Sequence, residues 1–179
     1  MPGLSLLAPT PDDLDDLSRF EHANRAFFEA HVNARPPAYY AEGGIQADIA
    51  QAVREAAEDQ AYQFLLRDAT GVLVGRVNLT RVRRTHFHSA ELGYRIAHAA
   101  NGRGHATEAV RLVLQQAFGC LGLRRVEATA AISNTASCAV LRRNGFVQFG
   151  HSRRSFELAG RWHDLLHFEC HALQEKERV

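Results

Sequence analysis

The sequence predicts an α/β chain in which helices flank a mixed, largely antiparallel sheet. Two observations carry this reading. Segments 45–59 and 104–120 repeat apolar residues at helical spacing. Alternating, strand-like segments are joined in pairs by turn signals, Asp68-Ala69-Thr70-Gly71 and Ala159-Gly160, so hairpins stand among the helices.

The elements follow in chain order. All five prolines, Pro2, Pro9, Pro11, Pro36 and Pro37, lie at or before residue 37, so the N-terminal part is the one punctuated by loops. Thr10-Pro11-Asp12-Asp13 gives an N-cap, a proline at the first helical position and an acidic first turn, and predicts a helix to about His22. A second short helix is expected over 24–32, then a loop from Arg35 to Tyr40. Ile45, Ile49, Ala52, Val53 and Ala56 mark the helix at 45–59. Strands are expected at 61–67, 72–82 and 91–96. Ala106, Ala109, Val110, Val113, Leu114, Ala117 and Phe118 mark the helix at 104–120. In the strand at 123–130, Val126, Ala128 and Ala130 alternate with Glu127 and Thr129. A helix at 135–143 stops at Asn144-Gly145, and 146–158 with 161–171 form a second hairpin. No repeat, linker or low-complexity tract interrupts the 179 residues, so 1–179 reads as one domain.

Composition narrows the partners. A domain of this size buries roughly 70% of its unfolded surface. With 21 basic and 20 acidic residues the net charge is +1, which does not support general nucleic-acid binding, so DNA is not an expected partner. Cys120, Cys138 and Cys170 are odd in number and far apart, giving neither a disulfide framework nor metal spacing. They fit a reducing, cytoplasmic setting. The N-terminus lacks a basic n-region and no stretch approaches the roughly 18 apolar residues of a membrane span, so no membrane is expected.

The most informative stretch is Asn101-Gly102-Arg103-Gly104-His105-Ala106, between a strand and a helix. The first helical N–H groups lack intrahelical partners and the dipole end is positive, which makes an anion site. Gly102 and Gly104 let a phosphate approach the backbone, and Arg103 adds a mobile charge. An ordinary glycine-rich turn is the plain alternative. A dinucleotide fingerprint fails because Thr107 stands where its third glycine belongs. A Walker A loop fails because no Gly-Lys-Ser/Thr follows.

This run resembles the acetyl-CoA loop of the GCN5-related N-acetyltransferases (GNAT), Gln/Arg-x-x-Gly-x-Gly/Ala. Gly104 and Ala106 match it, while Asn101 replaces the usual Gln or Arg. Asn134-x-x-Ser137, Val140-Leu141 and Asn144-Gly145-Phe146 resemble the second half of the same domain. Asn24-Arg25, Tyr39-Tyr40, Gly75-Arg76-Val77, Leu92-Gly93-Tyr94 and Gly160-x-Trp162-x-Asp164 resemble the ribosomal-protein-alanine N-acetyltransferase branch (RimJ/RimL type). The resemblance runs from about Leu4 to Leu173. It implies a twisted sheet of about six to seven strands, splayed where acetyl-CoA binds.

The resemblance also assigns residues. Backbone amides near Tyr94, Arg95 and Ile96 would pair with pantetheine and polarise the acetyl carbonyl. Residues 101–107, Asn101, Gly102, Arg103, Gly104, His105, Ala106 and Thr107, would hold the pyrophosphate. Asn134 would bond the pantetheine arm, although as an N-cap it has a structural use. Ser137 would protonate or bond the departing thiolate, a good leaving group with pKa near 8.5. Glu91 is a candidate base, or a solvent-facing strand residue. A base has little to do for a protein α-amine, whose pKa is about 7.7–8.0, and more for a lysine amine at about 10.4. Phe28, Tyr39 and Tyr40 are candidates to shape the acceptor groove, with core packing the alternative reading. His86-Phe87-His88 invites a metal on one strand face, but no third ligand follows, so no metal is expected and His88 is a candidate substrate contact. Trp162 and Asp164 read as hairpin structure.

The expected activity is acetyl transfer from acetyl-CoA to a primary amine by direct attack, without an acetyl-enzyme. A ribosomal protein N-terminus is the first acceptor implied, and the protein is expected as a monomer or homodimer. Three alternatives stand beside it. One is a small amine acceptor (a polyamine, amino acid or antibiotic), for which Glu21, Glu29 and Glu42 are candidate pocket carboxylates. Another is a CoA-binding assembly or regulatory module. The last is a non-enzymatic ribosome-binding protein using Arg81, Arg83 and Arg84.

Overall fold

Seven strands form one open sheet in the order β1-β2-β3-β4-β5-β7-β6. The computed structural model describes residues 3–32 and 34–173; the ends of the expected domain, 1–2 and 174–179, lie outside it. The strands are β1 (Ser5–Leu7), β2 (Tyr62–Arg67), β3 (Leu73–Arg83), β4 (Ser89–Ile96), β5 (Arg125–Ala131), β6 (Val147–Leu158) and β7 (Arg161–His171). Every neighbouring pair is antiparallel except β4 and β5, which run parallel. The expected α/β class and mixed sheet hold.

The helices are α1 (Leu14–Glu29), α2 (Pro37–Tyr40), α3 (Gly44–Ala57), α4 (His105–Gln115) and α5 (Thr135–Arg143). The two N-terminal helices expected to meet near His22 are one. Asn24, which would favour a break, instead donates to the Phe20 carbonyl and so stays inside the helix. The loop at 35–40 contains one helical turn, started by Pro37 at its first position. Strand β1 was not expected: three residues are too few to show alternation. The helix at 104–120 ends in a π turn over Gln116–Cys120.

The two faces of the sheet are covered separately. Val77, Leu79, Leu92, Val126 and Phe168 pack under α4 and α5 with Val110, Val113 and Leu141. Leu65 and Leu73 pack on the other face with Leu17, Phe20, Ile45 and Ile49 of α1 and α3. Each fully buried side chain of this kind contributes about 1.5–3 kcal/mol. Among the described residues no helix is long and apolar enough to cross a membrane.

Candidate active site

The site begins with an interrupted ladder. Strands β4 and β5 pair in register from Ser89↔Arg125 to Leu92↔Ala128, and there the pairing ends. Beyond it β4 continues to Ile96 and β5 to Ala131, each bonded only to its outer neighbour. Backbone polar groups of 93–96 that point away from β3 therefore have no strand partner among the described residues. Such groups require a partner from water or a ligand. This is the splay that the sequence resemblance implied.

The turn at 101–104 delivers the chain from β4 to α4. Gly102 and Gly104 have φ of +73° and +79°, a region L side chains rarely adopt. A Cβ on either would meet no protein atom within 4 Å, so the backbone is open on that side. Gly104 caps α4, no side chain caps its first turn, and the earliest intrahelical bond is from Glu108 N to Gly104 O. The N–H groups of His105, Ala106 and Thr107 are the orphan donors of an anion site. Arg103 and the Asn101 side chain are exposed beside them, and His105 Nδ1 is buried without a hydrogen-bond partner. Two asparagines fix this turn. Asn144 Nδ2 donates to the carbonyls of Thr107 and Val140, tying α4 to α5. Asn24 Oδ1 accepts from His98 N, tying α1 to the start of the turn.

Beside the splay, Tyr94 Oη and Ser137 Oγ are 2.9 Å apart and share a hydrogen bond. Burial pushes the Tyr94 phenol up, and the Ser137 hydrogen bond offsets part of that. Asn134 caps α5, its Oδ1 accepting from Ser137 N at 3.0 Å. The cap is thus observed, and Asn134 Nδ2 remains a donor for a further partner. The sequence reading used only the backbone of Tyr94 and did not foresee its hydroxyl; the signal was a lone tyrosine whose partner lies 43 residues away.

The other face of β4 is different. Arg76 on β3 is 3% exposed and donates to Glu21 at 2.6 Å, Asp48 at 2.9 Å, Tyr39 Oη at 2.8 Å, and Gln63. Burial opposes its charge, but Tyr39, Glu21 and Asp48 outweigh that and raise its pKa. Glu21 is fully buried. Tyr39 and Phe28, expected at the groove, are buried and belong to the core, with burial pushing the Tyr39 phenol up. Tyr40 alone of the three is partly exposed, under the guanidinium of Arg25.

Other expected residues are not brought together with the splay. His88 stands at the opposite end of β4, six residues or about 20 Å from Tyr94. It belongs to a turn with φ of +45°, as does His86 at +66°, so the shared strand face inferred for a metal pair does not exist. Glu91 lies in the paired part of β4, 3.0 Å from Arg81, on the face away from Tyr94. Arg83 meets Glu127 and Arg84 forms a bidentate pair with Asp59. The basic run is thus matched by carboxylates rather than presented as a cationic patch. Asp164 accepts from Arg154 N and His151, which hold its carboxyl below the usual range and pin the bulge in β6, as hairpin structure requires.

An open parallel pair, a donor-lined helix start and a hydroxyl pair beside them match the acetyl-transfer site that the sequence resemblance implies. The profile of the Acetyltransferase (GNAT) domain family matches residues 4–147, and the chain belongs to that family. It is an N-acetyltransferase. It is 34% identical over 153 residues to "Probable N-acetyltransferase YjcK" of Bacillus subtilis, covering 85% of this chain and 84% of that protein. It is 30% identical over 103 residues to spermidine N(1)-acetyltransferase of Vibrio cholerae, 58% of this chain and 59% of that protein. Among solved structures, ribosomal-protein-S5-alanine acetyltransferase from Vibrio fischeri superimposes with a TM-score of 0.90 at 22% identity, covering 96% and 94% of the two chains. Mycobacterium smegmatis RimJ in complex with CoA-disulfide gives 0.86 at 27% identity, covering 94% and 82%.

Proposed function

We propose that this N-acetyltransferase moves the acetyl group of acetyl-CoA directly to the α-amine at a protein N-terminus, a ribosomal protein first among them. The observation that carries the reading is the end of the β4–β5 ladder at Leu92↔Ala128, with the Tyr94–Ser137 hydroxyl pair beside it. The relatives named for ribosomal-protein alanine acetylation support the acceptor.

Acetyl-CoA supplies an activated thioester. The orphan N–H groups of 105–107 would hold its pyrophosphate, with Arg103 nearby. Asn134 Nδ2 and the unpaired backbone of 93–96 would hold the pantetheine. Backbone N–H groups in the splay would stabilise charge developing on the acetyl oxygen, which is worth about 2.7–4 kcal/mol per donor. Ser137 would give its proton to the thiolate and be reprotonated through the Tyr94 hydroxyl, which in turn takes, by way of water, the proton that the attacking amine sheds, so both hydroxyls end neutral. About half or more of the amine is neutral near pH 8, so a strong base is not required. Two features favour direct attack over an acetyl-enzyme: Cys138 is buried in the core, and burial pushes the Cys170 thiol up, away from a thiolate.

The test is Ser137→Ala, with thiol release and acetyl-CoA binding measured side by side on peptides starting with Ala, Ser or Met. We expect kcat to fall about a hundredfold, the low end for a general acid, with acetyl-CoA affinity retained. Unchanged kcat removes Ser137 from the chemistry. A wild-type chain that binds acetyl-CoA and acetylates no acceptor is a binding module instead.

A further inference from the structure

Strands β3 and β4 place Arg76 and Arg95 directly opposite each other, on the face away from Ser137. Like charges in that position repel. Arg76 is compensated by hydrogen-bonded carboxylates, as described. Arg95 is not: its nearest carboxylate oxygen, Glu21 Oε2, is 3.9 Å away and accepts no hydrogen bond. Arg35 joins the same cluster, 3.6 Å from Glu21 and 4.0 Å from Asp48, again beyond hydrogen-bond reach. Its Nε is buried and unpartnered, and its guanidinium lies over the Tyr39 ring. Three guanidinium groups thus share two carboxylates, leaving one positive charge in excess. Arg25 and Glu29, further along α1, pair with each other and do not change this. Burial and then the neighbouring Arg35 lower the Arg95 pKa, as expected for a cation short of partners.

The placement matters. Arg95 lies in the part of β4 that has left β5, next to Tyr94, and its side chain keeps 23% of its surface exposed. On the α1 side the splayed end of β4 is thus bordered by Arg95. We propose that Arg95, assisted by Arg35, recognises a carboxylate that the acceptor carries within a residue or two of its reacting amine. The inference rests on the acetyl-transfer reading above and specifies its substrate. It also bears on the small-amine alternative. Glu21 is fully buried and engaged by Arg76, and Glu29 is held by Arg25, so of the three candidate carboxylates only Glu42, exposed beside Tyr40, stays open to a polyamine. A polycation would bring further positive charge to a site already in excess.

The test compares three peptides identical except for position two, Ala-Glu, Ala-Gln and Ala-Lys, together with free alanine, alaninamide and spermidine. The expected result is a kcat/KM for Ala-Glu about tenfold or more above Ala-Lys, the size of one charge-assisted hydrogen bond. That ratio should approach one in Arg95→Gln, survive in Arg95→Lys and reverse in Arg95→Glu. Because the readout is a ratio within each variant, a loss of total activity does not imitate it. Equal turnover of the three peptides overturns the inference and leaves N-terminal acetylation standing. Preference for free alanine over alaninamide, with all peptides ignored, keeps the carboxylate site and overturns the protein acceptor. Acetylation of spermidine alone overturns both.

Discussion

The two faces of β4 solve different problems with different materials. Toward α4 and α5 the site is built from backbone: two left-handed glycines, an uncapped helix start and strand groups without a ladder. Few charges are involved, and the space beside the glycines is open. Toward α1 and α3 the site is built from side chains: Arg76, Glu21, Asp48, Gln63 and Tyr39 locked together, with Arg35 and Arg95 at the margin. A backbone cradle is set by local chain geometry and tolerates many side chains. A buried charge network is set by partners that must all be present. The difference teaches that the α4 face, the donor side of the proposal, resists substitution of most residues but not of its glycines, whereas the α1 face, its acceptor side, fails when either of its deeply buried partners, Arg76 or Glu21, loses the other.

The strongest way to break that comparison is Arg76→Leu. It strands the Glu21 carboxylate in the core, and removing one member of a buried pair costs about 3–5 kcal/mol. The expected readout is a urea midpoint shifted far down with the m-value kept. The double variant E21L/R76L should recover much of the loss, because an apolar pair of similar volume removes the two most deeply buried charges and leaves Asp48, Arg35 and Arg95, which all keep some contact with solvent. A single variant as stable as wild type means the network is wetter than its burial implies.

The same contrast explains what the sequence made legible. The donor side is contiguous: 101–107 and 134–144 each carry their meaning within one turn and one helix start, so spacing alone exposes them. The acceptor side joins residues 21, 35, 48, 63, 76 and 95, whose side chains meet only after β3 and β4 pair. Nothing in a single sequence marks Glu21 as the partner of Arg76, and its charge points to an exposed pocket carboxylate. The place of His88 was hidden for a related reason. Its neighbours look strand-like, but a turn with positive φ carries the chain from β3 into β4 and leaves the histidines at the far end from the splay. Phe28 and Tyr39 were legible as aromatic residues near the groove; which side of α1 and α2 faced inward depended on the sheet beneath. Strand β1 was too short to see, and the merging of two helices into α1 hinged on Asn24 finding a carbonyl on its own helix.

Gly104→Ala tests the donor side in isolation. The position has φ of +79° and an added Cβ meets no protein atom within 4 Å. Folding therefore bears only the left-handed strain, about 1–2 kcal/mol, which lowers Tm by roughly 2–8 °C. The Cβ would stand where a phosphate must approach the orphan amides, so KM for acetyl-CoA should rise about tenfold. Steady-state kinetics below the new Tm separates the two effects. A lowered Tm with unchanged KM means the pyrophosphate lies elsewhere.

The smallest effect comes from a charge remote from both faces, and it shows that pairing without burial matters little here. Hydrogen bonds from Arg84, reinforced by Tyr62, hold the Asp59 carboxyl down at about 2, against an ordinary value of 3.8. A carboxylate with a depressed folded pKa stabilises the fold fully above its unfolded pKa and loses that contribution as pH falls through the folded one. The Asp59 side chain is 39% exposed, so solvent screening holds the contribution to about 1 kcal/mol or less. Asp59→Asn is the right probe, because φ is +57° and asparagine accepts that conformation. The urea midpoints of wild type and variant should differ by a small constant amount above about pH 5 and converge as the pH falls from about 4 toward 2. A gap that persists unchanged at about pH 2 assigns the effect to the shape of the turn rather than to the charge.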